Sequence, residues 1–326
     1  MSMTGALLGV FAGVAWAAGA IAQGFPIPGK SIRIVIPFPP GGQTDVHARL
    51  IAPRLSEALG VAVIVENRPG AASFIAAQEV ARAAPDGHTI FYTSLLTHTQ
   101  NPHLYSKLPY DPFMDFTPIM QFVSSALALV SSPQLPANNL QELVAHARAN
   151  PGKVNYASVS QGSTSHLYAE ILKSQAGIDI VHIPYKGTAD AMRDLYGNQV
   201  QILFDGPVTA VQNLKAGRVK VLAVTGSRRL PALPEVPTAA EQGVPGMELV
   251  GWIGFFGPGG MARETVARIN AELVRISKTP EMIKVVVDGG LEPAANSPDQ
   301  FTQVVKEHYE RWGAVIRRIG LNLDAK

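Results

Sequence analysis

The stretch Ile32-Arg33-Ile34-Val35-Ile36-Pro37-Phe38-Pro39-Pro40-Gly41-Gly42-Gln43-Thr44-Asp45 constrains the fold more than any other part of the chain. Its first five residues are β-branched apart from Arg33, which suits a buried strand. Pro37, Pro39 and Pro40 each hold φ at about −65° and end that strand. Gly41 and Gly42 carry no Cβ, so a ligand can come close to their backbone. Thr44 or Asp45 can cap the helix that follows. A strand turning this sharply into a helix presents unpaired N–H groups at the positive end of a helix dipole. That is an anion site made of backbone, with no lysine required. The stretch lacks the GxxxxGK[ST] phosphate loop and the GxGxxG fingerprint, so a carboxylate fits it better than a nucleotide. An ordinary strand-to-helix turn without a ligand is the other reading.

The next segments repeat the alternation. Residues 45–59 predict a helix with Val46, Leu50, Leu55 and Leu59 near one face, bent at Pro53. A strand over 61–65, a helix over 72–83 and a strand over 88–94 follow. Strand–helix–strand–helix–strand implies a parallel sheet with helices on its faces. In such sheets ligands bind beyond the carboxyl ends of the strands, where the Pro-Gly-Gly turn and the Thr93–His98 loop both fall. Residues 101–118, rich in proline, read as a surface loop. A second α/β unit begins near Ser125, with strands over 126–131, 154–159, 179–185, 200–204 and 219–225. Its helices cover 140–149, the segment after Ser165, 189–196, and a stretch ending at Ala216. Residues 249–256 read as a strand crossing back. An amphipathic helix over 265–277 follows. Ser297-Pro298-Asp299-Gln300 is a capping box that opens a helix to about Ile319.

A chain of 326 residues has room for one large domain or two ordinary ones. With 47% hydrophobic and 16% charged residues it is core-rich, and a net charge of +2 offers no concentrated basic face for nucleic acid. The absence of cysteine excludes disulfides, thiol catalysis, cysteine-held metals and a lipoprotein anchor. The eight histidines show no HExxH spacing, so neither a metal nor another cofactor is expected. Residues 7–21 are apolar and small, and Ala20-Ile21-Ala22 fits a signal cleavage site before Gln23. No Lys or Arg precedes the apolar run, so an atypical signal, a misassigned start or a membrane anchor are the readings, of which cleavage fits the Ala/Gly-rich run best.

Glycine and hydroxyl residues recur at strand ends: Gly41 to Thr44, Ser160 to His166, and Lys186-Gly187-Thr188. Aimed at one cleft, they would hold a small dianion through N–H and hydroxyl groups, although strand–helix turns favour these residues in any case. Ser165, His166 and Asp205 raise the question of a hydrolase. The GxSxG elbow is absent, and helical neighbours such as Ser165 and His166 point in different directions. His98 and His166 can donate to a ligand or satisfy loop carbonyls. Asp205 can accept from a ligand or cap the next helix. Trp252 and Trp312 read as core.

These segments together resemble the Bordetella-uptake (Bug) receptors, the periplasmic substrate-binding proteins of tripartite tricarboxylate transporters. The resemblance rests on Ile34 to Gly42 with Asp45, Glu66-Asn67-Arg68-Pro69-Gly70-Ala71, Ala84-Pro85-Asp86-Gly87, and Thr97-His98 with Asn101-Pro102. Leu108-Pro109-Tyr110-Asp111-Pro112 before Asp115-Phe116, Ser165-His166, Pro184-Tyr185-Lys186-Gly187, Phe204-Asp205, Lys215-Ala216-Gly217, and Trp252 near Gly257-Pro258 extend it. It implies an α/β, two-lobed type II periplasmic binding protein of Venus-flytrap form, each lobe a mainly parallel sheet flanked by helices. Residues 1–22 would be the signal peptide, 23–124 and 245–326 one lobe, and 125–244 the other, with a hinge in the crossing strands. The implied function is capture of a small carboxylate, aromatic and dicarboxylic acids included, and delivery to transporter subunits in the membrane. The protein would be a monomer in the periplasm, without cofactor, nucleic-acid partner or catalysis. A receptor serving a sensor, or a small exported hydrolase, are the alternatives. The ligand set carried over by motif is Phe38, Gly41, Gly42, Asp45, Thr97, His98, Ser163, Thr164, Ser165, His166 and Asp205.

The chain departs from the family where Ala72-Ser73-Phe74 stands in place of a common Gly-Gly-Asn. Pro53, Thr164 and Gly206 are further departures. Phe74 is therefore added to the ligand set, with the expectation of an apolar or aromatic ligand body. A turn of Phe74 into the core beside Ile75 is the alternative.

Overall fold

A computed structural model describes residues 24–185 and 187–324. The expected signal segment and Lys186 lie outside the described residues. β1 (Ile32–Ile36) lies between β2 (Val63–Asn67) and β3 (Thr89–Ser94) and is parallel to both. α1 (Gln43–Leu59) and α2 (Phe74–Ala81) make the crossovers. The proline-rich stretch contains more than loop: α3 (Asn101–Leu104) falls within it, and β4 (Phe116–Ser125) starts before its end. The second unit holds β5 (Ala128–Ser131), α4 (Leu140–Ala149), β6 (Val154–Ser158), α5 (Thr164–Ala176) and β7 (Ile180–Pro184). It continues through α6 (Thr188–Tyr196), β8 (Ile202–Asp205), α7 (Pro207–Lys215) and β9 (Lys220–Val224). β10 (Gly251–Pro258) returns to the first sheet, followed by α8 (Arg263–Ser277), α9 (Pro280–Asp288), β11 (Glu292–Pro293) and α10 (Pro298–Ile319).

The sheet orders are β11-β4-β10-β3-β1-β2 and β7-β6-β8-β5-β9. Both sheets are mixed, with most strands of each running one way: β1, β2, β3 and β4 in the first and β6, β7, β8 and β9 in the second, the α/β form expected. β10 runs antiparallel to β3 and β4, and β5 runs antiparallel to β8 and β9. These two strands enter from the other sheet, so no helical crossover on their own sheet turns them parallel.

Alternation along β1 sends Ile32, Ile34 and Ile36 to a cluster with α1 and α8, and Val35 to a cluster with Ala76, Ala77 and Val80 of α2. α1 continues through Pro53 as one helix. The proline removes one N–H donor, and a buried face of Ala48, Ile51, Ala52, Leu55 and Leu59 holds the helix in place. That face is rotated from the predicted one: Val46 is exposed and Leu50 only half-buried. The second cluster runs on through Trp252, Phe301 and Trp312 to Tyr168, Tyr156 and Leu129, so a packed core joins the two sheets. The capping box forms as read, with Ser297 Oγ accepting from the Gln300 N–H and the Gln300 side chain accepting from the Ser297 N–H.

Candidate binding site

Residues just beyond the carboxyl ends of β1, β3, β6 and β8, with Gly187 and Thr188 after β7, line a cavity of about 770 Å³. Its wall comprises Phe38, Pro39, Pro40, Gly41, Gly42, Ser94, Leu96, Leu127, Val159, Ser160, Ser163, Thr164, Ser165, Gly187, Thr188, Phe204, Asp205 and Gly206. Four helices begin there, and their N-cap residues, Gly42, Ser163, Gly187 and Gly206, all belong to the wall. Three of the four caps are glycine, which leaves the backbone of the first turn open to a ligand. No Lys, Arg or His stands among the described wall residues; Asp205 is the one ionisable group. Helix dipoles and hydroxyls thus dominate the polar character of the wall.

The Pro-Gly-Gly turn is braced from behind. Gly41 has φ +83°, and its N–H donates to Asp45 Oδ2 at 2.9 Å. Arg49 Nε donates to both Asp45 oxygens, at 3.0 and 2.9 Å. Arg49, with smaller help from the Gly41 amide and Asn67, holds the Asp45 carboxyl down at about 2. Asp45 is buried and outside the cavity wall, so it shapes the turn. The Gly41 amide is already engaged, which leaves the amides from Gly42 onward for an anion.

On the opposite wall, Ser163 Oγ caps α5 by accepting from the His166 N–H and lies 2.9 Å from Ser165 Oγ. His166 sits behind this turn. Its Nδ1 accepts from the Gly162 N–H, and its ring stacks on His182 at 3.9 Å. Asp205 ends β8 with 4% exposure. Burial pushes its carboxyl up to about 6, partly offset by the Gly206 N–H, and Oδ2 has no hydrogen-bond partner among the described residues. It does not cap α7, whose N-cap is Gly206, with no side-chain cap hydrogen bond.

Of the sequence-predicted set, the cavity brings together Phe38, Gly41, Gly42, Ser163, Thr164, Ser165 and Asp205. It does not include Asp45, Phe74, Thr97, His98 or His166. Thr97 and His98 follow β3 into a π-helical turn, Leu96–Gln100, that carries both into the core. Thr97 Oγ1 pairs with Thr93 Oγ1 at 2.7 Å, and the His98 ring stacks on Phe256 at 3.9 Å. Burial holds His98 down at about 3, a neutral core imidazole. Phe74 packs edge-on against Tyr105 and Tyr110, so its ring is spent on lobe packing and the motive for an aromatic ligand falls away. The wall also holds Ser94 and Leu96, within the Thr93–His98 loop expected at the ligand end though not named as contacts, and Leu127, Val159 and Phe204, which sequence reasoning missed as contacts. All but Leu127 stand at strand ends, the signal that could have found them.

The family model described as "Tripartite tricarboxylate transporter family receptor" matches residues 47–321. Protein BugT of Bordetella pertussis is 32% identical over 323 residues, covering 98% of each chain. A structure of an R. palustris protein with adipate is 34% identical at TM-score 0.82, covering 91% of this chain and 99% of that one. MatC from Rhodopseudomonas palustris with bound malate is 34% identical at TM-score 0.78, covering 89% and 100%. With a matched span of this length and such similarity along nearly the whole chain, the protein belongs to the tripartite tricarboxylate transporter receptor family, to which the Bug receptors are related.

Proposed function

We propose that this chain captures a small carboxylate in the periplasm and delivers it unchanged to the membrane subunits of a tripartite transporter. Residues 1–22 would be removed on export. Residues 23–124 and 245–326 would act as one lobe and 125–244 as the other, closing on the ligand. The observation that carries the reading is the gathering of four helix N-caps around a cavity whose described wall has no cationic side chain. Oriented N–H groups and the hydroxyls of Ser163, Ser165 and Thr188 are suited to carboxylate oxygens. The relatives solved with adipate and malate support the ligand class. Phe38, Leu127 and Phe204 would cover the ligand's carbon chain. A ligand that binds only the folded state adds about 2.7 kcal/mol of stability at roughly 100 times its Kd. A thermal-shift panel of mono-, di- and tricarboxylates should therefore give at least one large upward shift. Shifts from neutral sugars with none from carboxylates would refute the reading.

A further inference from the structure

Among the described residues the Asp205 carboxylate has little to do in the fold beyond meeting the neighbouring Gly206 N–H. It forms no ion pair among the described residues, it does not cap α7, and its Oδ2 lies buried and without a partner at the cavity wall. A buried carboxylate oxygen in that condition is costly unless something arrives to bond it. The rest of the wall offers the opposite chemistry: N–H groups at helix starts and hydroxyls, which suit an incoming carboxylate. Among the described wall residues Asp205 is the one side chain that, when ionised, only accepts. Its apolar neighbours Leu127, Val159 and Phe204 supply no donor.

We propose that Asp205 makes this receptor select carboxylates that carry a hydrogen-bond-donating substituent, a hydroxyl or an ammonium group, over plain carboxylates of the same length. This rests on the carboxylate-receptor reading and narrows it. The ligand's carboxylate meets the helix N-termini while its O–H or N–H group meets Asp205 Oδ2. An ammonium group would also neutralise the buried charge. A hydroxyl would satisfy the oxygen without doing so.

The test is calorimetric titration of the mature protein with matched sets: succinate, malate and aspartate; glutarate, 2-hydroxyglutarate and glutamate; propionate, lactate and alanine. The expected result is that in at least one set a donor-bearing member binds ten-fold or more tightly than the plain one. Asp205→Ala should abolish that preference. Asp205→Asn separates the two donors, because its amide oxygen still accepts from a hydroxyl but brings no charge. It should retain hydroxy-acid binding within about ten-fold and lose amino-acid binding by a hundred-fold or more. Circular dichroism and melting of both variants report folding, and Asp205→Asn keeps the shape of the side chain should Asp205→Ala fail to fold. Equal binding within every set, tighter binding of the plain acids, or a preference that survives both substitutions would overturn the proposal. If none of these acids binds, the proposal also falls; the receptor reading then stands or falls separately on the carboxylate panel.

Discussion

At the scale of the residue, Asp205 sets a measurable pH dependence. Its carboxyl stands at about 6 in the folded chain, against about 3.9 in an unfolded one. Between those values the folded state keeps a proton that the unfolded state has lost. Stability therefore falls as pH rises from about 4 to about 6 and stays lower above that range. The shift corresponds to at most ~3 kcal/mol. Asp205→Asn removes the ionisation, so urea unfolding without ligand should show little change at pH 4 and a gain of about 1–3 kcal/mol at pH 8. An equal effect at both pH values would contradict this. Asp205 also marks how far residue-level reading of the sequence reaches. Its place at a strand end was legible, but whether it faced ligand or capped a helix depended on one backbone turn, and Gly206 took the cap. Thr97, His98 and His166 stood beside true wall residues in sequence, yet the direction of each side chain depended on a π-helical turn or a helix face that composition does not encode.

At the scale of the element, the turn before α2 carries a local strain that the sequence advertises. Ala71, Ala72 and Ser73 all have positive φ, at 44°, 52° and 76°. A non-glycine residue in that region costs roughly 1–2 kcal/mol, and the resemblance places glycines at the last two. Part of any gain from restoring glycine is lost to the greater entropy of the unfolded chain. Ala72→Gly and Ser73→Gly should each still stabilise by about 0.5–1 kcal/mol in urea unfolding. Destabilisation by both would show that the side chains contribute more than the strain removes. The first βαβαβ run and the capping box of α10 were readable because periodicity and punctuation agreed. α9 was not read: its run Val285-Val286-Val287 favours a strand, while Thr279 as cap and Pro280 at the first turn favour a helix. The cap and packing of Met282 and Val286 into the α1–α8 cluster decided the outcome. The face of α1 was misphased because Ala48 and Ala52, weak hydrophobic signals, occupy its centre.

At the scale of the molecule, two crossings join the sheets: β4 passes to β5 through the two residues 126–127, and β9 returns to β10 through the longer stretch 225–250. Contacts outside the cavity wall also link the two sheets' units: Arg228, beyond β9, pairs with Glu292 of β11, and Gly290 lies against Pro207 at the start of α7. A hinge at the crossings would let these contacts form and break as ligand comes and goes. Small-angle scattering should record a smaller radius of gyration with saturating carboxylate, and an unchanged radius would count against closure. Recognition depends above all on ligand charge being met by helix N-termini distributed over both sheets. Gly42 offers the sharpest test, because its φ of −75° suits any residue and an added Cβ meets only the Pro39 carbonyl oxygen, at 3.7 Å. A valine there should leave the fold intact and fill the space where a carboxylate approaches the α1 amides. Lys186 precedes the Gly187 cap in sequence and is the natural rival source of positive charge. The decisive measurement is calorimetric titration of Gly42→Val and Lys186→Ala with the carboxylate that gives the largest thermal shift. Helix-based recognition predicts loss of binding in Gly42→Val and affinity within about ten-fold of the parent in Lys186→Ala; retained binding in the first with loss in the second would contradict it.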